Sequence, residues 1–425
     1  MRRAAVGGLV VVLAACGGAG GAARWEGTVT DSAGVQVVRN PAAGMWQPGQ
    51  EWAVTEALRI GAAEGEPEYQ FGMVVSLATL SDGRIVVLDQ QGQHVKLFGA
   101  DGKYQQTIGQ PGAGPGELGM GTMGVFVGPG DTLIVPDVVA NQRVSLYGPD
   151  GTFLASFRLG LDQGIPLRWE VTPDRRVITQ VRALNLPTGP GQAPAAPDTM
   201  DAILERRLDG APGDTLMRVP SGKTFSFAGR QPEFNFFAAE PVWAVYGDRL
   251  LYGVSDRYRL GVYSAGGRLE RVIEKPSEPV PVTDADRDAM VNMLETAWRQ
   301  AGLNTEQVAQ LKSAIHFAPA YPAYLQAMVG PDGTVWVQHY RTLAERPKPA
   351  DGAAKPVEEA LSVFDMGSTT WDVFDAEGRY LGVVRMPERF QPMRFGGDRI
   401  YGVQLDELDV QYVVVLNLVK GGGGA

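Results

Sequence analysis

His339 is one of only three histidines in this 425-residue chain, with His94 and His316, and Cys16 is the sole cysteine. The residue types that move protons or attack carbonyls are therefore few. A Ser-His-Asp set would have to recruit His339 or His316, and no Gly-x-Ser-x-Gly elbow leads into a helix. Asp89, Asp137 and His339 are residue types that together could hold a metal ion. The glycine run from Gly109 to Glu117, GQPGAGPGE, does not suit a phosphate, because no helix and no Lys-Ser/Thr pair follow it. The best catalytic grouping by type is His339, Tyr340 and Arg341, which would suit a hydrolase or lyase.

These residues are placed by a repeat. LSDGRIVVLDQQGQHVKLFGADGKYQQTIG (Leu80 to Gly109) aligns with GPGDTLIVPDVVANQRVSLYGPDGTFLASF (Gly128 to Phe157). Each has a tight polar turn, a strand ending in Asp, a short loop, a second strand, an Asp-Gly turn and a third strand. Asp-Gly between alternating apolar runs is a hairpin signal. Strand repeats of 40 to 50 residues point to propeller blades. Further units begin near Val171, Val245, Met328 and Arg394, giving six. The sixth stops after three strands, so Trp52 to Ile60 is expected to supply its outer strand and close the ring. The fold class is all-β, a six-bladed β-propeller over residues 50–419, with a helical hairpin at about 282–318.

The repeats resemble NHL-type six-bladed propellers, and more closely the bacterial lipid-anchored members of that group. The resemblance rests on Asp82-Gly83-Arg84, Gly114-Pro115-Gly116-Glu117, Asn141-Gln142-Arg143-Val144 and Asp406-Glu407-Leu408. It implies the fold and leaves the activity open, because propellers host many functions. Lactonase-like propellers hold calcium with Glu, Asn and Asp. Asn141 is the nearest match here, but it sits in the repeat's own turn. Amidating propeller lyases use histidine clusters, which this chain lacks. Asp89 and Asp137 recur at one repeat position, where an aspartate caps a turn, so no metal and no cofactor is assigned.

Blade topology sorts the connections. Turns between strands a and b, and between c and d, lie on one face and are minimal here, as at Asp101-Gly102 and Asp150-Gly151. The four long connections, Ala183 to Met200, Ser221 to Pro241, Pro276 to Tyr324 and Arg341 to Thr370, all belong to the opposite face. Long loops gathered on one side mark a working face. The b-strand ends point there, and give a candidate binding face of Asp89, Asp137, Arg182, Asp256, His339, Tyr340, Arg341, Gln404 and Asp406. Phe225, Phe227, Phe234, Phe236 and Phe237 in the second long connection form either a cover for the channel mouth or an apolar binding patch. In the third, Thr283 to Asp286 reads as a helix start, Met290, Met293, Leu294, Ala297 and Ala301 as a buried stripe, and Gly302 as the stop. Asn304 opens a second helix with Val308, Leu311 and Ile315 on one side. Trp169, Trp243 and Trp336 are expected between blades.

The N-terminus has a basic start at Arg2 and Arg3, an apolar run from Ala4 to Ala15, and Leu13-Ala14-Ala15-Cys16, which resembles the bacterial lipobox. Residues 1–15 read as a lipoprotein signal, Cys16 as the lipidated residue, 16–49 as a tether and N-terminal extension, and 420–425 as a glycine-rich tail. A single cysteine allows no internal disulfide. The formal charge is −10 before the leader's two arginines are lost, which argues against nucleic acid. The expected location is the cell envelope, on the periplasmic side of the outer membrane or at the cell surface. The expected role is a binding or scaffold module for a protein, peptide or glycan, with the hydrolase or lyase near His339 as the alternative.

Overall fold

The computed structural model describes residues 24–421, apart from 160–162, 173–175, 184–199, 208–210, 212, 223–224, 229–230 and 347–361. Cys16, the leader and most of the glycine tail lie outside the described residues, as do the Pro173 to Arg175 turn and most of the Ala183 to Met200 connection.

A hairpin of β1 (Thr28–Ser32) and β2 (Val35–Arg39) precedes β3 (Ala53–Ile60). Blade one is β4 to β7 (Val74–Thr79, Ile85–Asp89, His94–Phe98, Tyr104–Ile108). Blade two is β8 to β11 (Phe126–Val127, Leu133–Asp137, Arg143–Tyr147, Phe153–Arg158), and blade three β12 to β15 (Ile165–Val171, Val177–Arg182, Met200–Arg206, Asp214–Pro220). Next come β16 (Phe225–Ala228) and β17 (Gln231–Phe236), then blade four, β18 to β21 (Pro241–Tyr246, Arg249–Val254, Arg259–Tyr263, Leu269–Glu274). Helices α1 (Asp284–Gln300) and α2 (Thr305–Ser313) and strand β22 (Ile315–Phe317) lead to blade five, β23 to β26 (Gln326–Val329, Val335–Tyr340, Gly367–Phe374, Tyr380–Arg385). Blade six is β27 to β29 (Phe390–Gly396, Arg399–Leu405, Gln411–Val419), completed by β3.

Every blade is an antiparallel sheet, and each of the six seams between blades is filled by its own apolar cluster. Alternating strands bury one set of side chains against each neighbour, so both faces of a blade are apolar. Trp169, Trp243 and Trp336 sit at the seams of blades two and three, three and four, and five and six. The Asp-Gly turns work as the sequence predicts: Gly102 and Gly151 take φ of +82° and +81°, a region only glycine enters freely. The ring closes by antiparallel pairing of β3 with β29, from Ala53 opposite Val419 to Ile60 opposite Val413.

The N-terminal extension is more than a tether. β2 pairs in parallel with β21, extending blade four outward, and Val37 and Val38 are buried. Asn40 then bridges blades four and five. Its Nδ2 donates to the carbonyls of Glu274 (3.1 Å) and Gly378 (2.9 Å), and its Oδ1 accepts from Tyr380 N–H (2.7 Å) and Trp25 Nε1 (2.9 Å). All four hydrogen-bonding positions of this amide are filled.

The long connections knit together. β17 pairs with β16 and, in parallel, with β22, so inserts on either side of blade four share one small sheet. Thr283 and Asn304 each head a helix with a reciprocal capping box. Met290 and Leu294 of α1 bury against Phe236, Phe237, Val282 and Tyr321. Ile315 is not on α2 as expected. The helix ends at Ser313, and Ile315 takes strand conformation opposite Phe234, where pairing with β17 satisfies its backbone.

Candidate functional site

The b-strand ends do not converge. Asp89 is buried, and its carboxylate accepts backbone N–H bonds from Met73 (2.9 Å), Gly72 (2.9 Å) and Gly92 (3.2 Å). Burial alone would raise its pKa; the three donors outweigh that and hold it below the usual carboxylate value. Asp137 is wholly buried and accepts from Gly119 N–H (2.8 Å) and the Asn141 amide. Both aspartates stitch the link entering their blade to the blade's own b strand, and Asn141 is part of that stitching. Arg182 pairs with buried Asp201 at 2.9 Å. Gln404 bonds Arg59 and the Glu388 carbonyl, and Asp406 accepts from Leu408 and Val410 N–H. Asp256 is exposed and lines a cleft of about 310 Å³ beside Ser221, Tyr252 and Arg257. Among the described residues, no group of three His, Cys, Asp or Glu is placed to hold a metal ion.

His339, Tyr340 and Arg341 part company. Tyr340 turns towards Tyr321, with ring centroids 5.7 Å apart, and joins the core of the helical insertion. Arg341 is buried and pairs with Glu388 at 3.2 Å. His339 alone faces an ionisable cluster, centred on a residue the sequence reading missed, Asp372 of β25. Successive strand side chains point to opposite faces, so three neighbours could not share one site.

Asp372 is wholly buried between blades four and five. It accepts from Tyr258 Oη (2.6 Å), Tyr380 Oη (2.7 Å) and Lys275 Nζ (2.7 Å). His339 Nε2 lies 3.0 Å from Asp372 Oδ2. Burial would raise the Asp372 pKa, but His339 and Lys275 hold it well below the ordinary carboxylate value. Burial first, and then the Asp372 charge, push both tyrosines up, so they stay protonated. Lys275 Nζ also lies 4.1 Å from the Tyr380 ring centroid, a cation–π contact. The arrangement is a neutralised ion pair with a partly exposed imidazole at its edge. The signal available in the sequence was an aspartate set among Trp371, Val373 and Phe374, at the apolar end of its strand.

Phe236 and Phe237 are buried under α1, so they anchor the insertion and do not form an exposed patch. Phe234 is partly buried in the same core. Phe225 and Phe227 fall on strand β16, paired opposite Phe234 and Pro232. An odd run of aromatics in a connection was the only sequence cue, and it could not say which side they face.

A larger cavity follows the propeller axis. It holds about 640 Å³ and is lined by the inner strands of all six blades. Gly247, Pro331 and Gly397, from a–b turns, place one end at the short-turn face. At the other end lies Val363, which heads a helical turn (Val363–Met366) from blade five's long connection. Phe364 of that turn packs against the blade six and one seam. Polar and apolar surface share the walls about equally, with Arg168, Glu170, Gln326, Gln391 and Arg394 among the polar residues. Arg168 pairs with Glu170 at 2.8 Å and lies over the Trp243 ring.

The fold is therefore a six-bladed β-propeller closed by its own N-terminal strand, with a sheet-and-helix insertion on one face and an axial cavity. A family model, DUF5128, described as a 6-bladed beta-propeller, matches residues 68–121. No curated protein matches. Among solved structures, one match is a member of the duf4221 family from Bacteroides vulgatus, with TM-score 0.52 and 12% identity over 88% of this chain and 100% of that one. Another, from Bacteroides fragilis and provisionally named an exported protein, has TM-score 0.51 and 10% identity over 90% and 100%. Virginiamycin B lyase from Staphylococcus aureus matches more loosely, with TM-score 0.41 and 10% identity over 87% and 100%. At these identities the likeness is one of fold. Among the described residues, no helix is long and apolar enough to cross a membrane.

Proposed function

We propose that this protein is an extracytoplasmic binding module, anchored through a lipidated Cys16, that presents its loop-rich face to a protein, peptide or glycan. The observation that carries the reading is the insertion itself. Two connections from different sides of blade four fold into one packed unit on that face, with α1 and α2 turning polar residues outward. Neutral elongation of a loop gives no shared core. The charged groups beneath are held in internal pairs, which suits a rigid support.

A photo-crosslinking residue at Asn292 or Gln310, both exposed on the helices, tests this in the native envelope. The same residue at Asp82 on the short-turn face is the control. Adducts from the helix positions alone are expected; equal adducts from both faces would remove the loop-rich face from the proposal. A hydrolase or lyase reading rests on one observation, the His339–Asp372 pair. Turnover of ester, lactone or glycosyl probes that is lost in His339→Gln would favour it; equal rates in both proteins would end it.

A further inference from the structure

Among the described residues, the large apolar side chains left exposed are shared unevenly between the two faces. Leu408, Met120 and Val139 are 82%, 70% and 69% exposed, and Met73, Ile165 and Val363 are exposed too. All six stand at the loop-rich end, in b–c connections, in links entering a blade, or at the first residue of an inner strand. Val419, next to the Lys420 that pairs with Asp332 and Asp398, is the only one at the short-turn end. Single exposed apolar residues carry no meaning, but neighbours gathered on one face mark a contact surface.

Four of them follow one another around the ring. Leu408 tips the b–c loop of blade six, and Gln411 at the foot of that loop accepts from Val74 N–H (2.6 Å), next to Met73. Gln90 N–H donates to the Met73 carbonyl (2.8 Å), and Gln90 Nε2 to the carbonyl of Thr122 (2.9 Å), two positions beyond Met120. Val139 packs over Gly121. This apolar arc runs over blades six, one and two, across the ring from the insertion that flanks blade four.

Carboxylates border the arc. Glu64 and Glu66, in the link entering blade one, and Glu407, beside Leu408, are exposed and form no ion pair among the described residues. The nearby cations are committed elsewhere. Arg389 is held by Asp409 and Arg59 by Glu56, while Lys96 turns inward to the carbonyls of Pro67 and Gln70. Arg143 directs its guanidinium at the carbonyls of Ala113, Gly114 and Glu117. Arg158 is exposed, but at the outer rim of blade two. A negative border around apolar contacts attracts a cationic partner and repels anionic lipid.

We propose that this arc seats a polypeptide segment that carries lysine or arginine around an apolar stripe. Met73, Met120, Val139 and Leu408 take the stripe, the methionines adapting to its shape, and Glu64, Glu66 and Glu407 face the cations. The inference rests on the reading of the loop-rich face as the binding face, and narrows its partner to a basic, amphipathic one.

The test uses the full propeller and fluorescence anisotropy with a labelled leucine-lysine amphipathic helix. Comparison probes are the same peptide with glutamate for lysine, the same peptide with serine for leucine, and vesicles of phosphatidylcholine with and without phosphatidylglycerol. Saturable binding of the leucine-lysine peptide is expected at about 0.15 M salt, with both other peptides at least tenfold weaker. Met120→Ser with Val139→Ser, and separately Glu64→Gln with Glu66→Gln, should each weaken it at least tenfold. Val419→Ser on the other face should leave it unchanged. Absence of saturable binding overturns the proposal, as does equal affinity for the serine-lysine peptide, which is charge attraction alone. So does an affinity unchanged in either double variant, or weakened as much by Val419→Ser. Vesicle binding, or self-association in sedimentation velocity, that is lost in Met120→Ser with Val139→Ser would also overturn it, by giving the arc to lipid or to a second copy. Crosslinks from Asn292 and Gln310 that persist while the arc fails would end this inference and keep the loop-rich face as the binding face.

Discussion

Asp372 shows how much one residue can hold. Its carboxylate collects two phenols, an ammonium and an imidazole at the seam of blades four and five. Its pKa is lowered on folding, so it contributes stability above the ordinary carboxylate range, and that contribution is lost as pH falls through and below about 4. Asp89 has a shift of the same sign and should act in the same window. Urea midpoints are expected to drop between pH 6 and pH 3, with a smaller drop in Asp372→Asn. At pH 7 that substitution leaves Lys275 buried without its counter-charge. A loss of about 3–5 kcal/mol is expected from equilibrium unfolding. An unchanged midpoint would mean that Lys275 finds water instead. The position was barely legible in sequence, because its partners come from Tyr258, Lys275 and His339, far apart along the chain.

At the scale of elements, the helical insertion was readable in detail. Thr283 with Asp286, and Asn304 with Gln307, each satisfy the first free N–H groups of a helix by local bonding alone. Thr283→Ala should cost about 1 kcal/mol, and Met290→Ala about 2–5 kcal/mol because its side chain is wholly buried. Both losses should appear as faster amide exchange in α1, with blades one and two unaffected. Exchange rising equally in all blades would show that the insertion is part of the ring's cooperative unit. What α1 packs against was not readable, since nothing local pairs Phe236 with Met290. The displacement of Ile315 from helix to strand has the same origin. Its backbone is captured by β17, about eighty positions earlier in the chain.

The ring as a whole depends on its last seam. β3 supplies the outer strand of blade six, and blade four is widened by β1 and β2. A chain beginning at residue 24 should melt as the mature protein does. One beginning at residue 61 leaves β29 with a bare edge and should aggregate and lose its cooperative transition. Light scattering and thermal melts compare the two, and a monomeric, cooperatively melting shorter chain would show that closure is dispensable. At this scale too, Cys16→Ser should release the protein from membranes into the soluble envelope fraction. Persistent membrane association would place the anchor elsewhere.

The sequence by itself determined the blade number, the closing strand, the turns and both helix caps. Each of those follows from period-two alternation, from glycine's access to positive φ, or from a side chain reaching three residues along. The candidate site was another matter. Reading the b-strand ends singled out Asp89, Asp137, Arg182 and Gln404, and in the structure each is bonded to its own blade or to the link that enters it. Gln391 and Arg394, two of the cavity-lining residues that keep a buried polar atom without a partner, sit on an inner strand whose QPMRF pattern shows no period. Only the closing of six strands around one axis turns those side chains into the wall of a cavity. That is a property of the ring, and no single blade contains it.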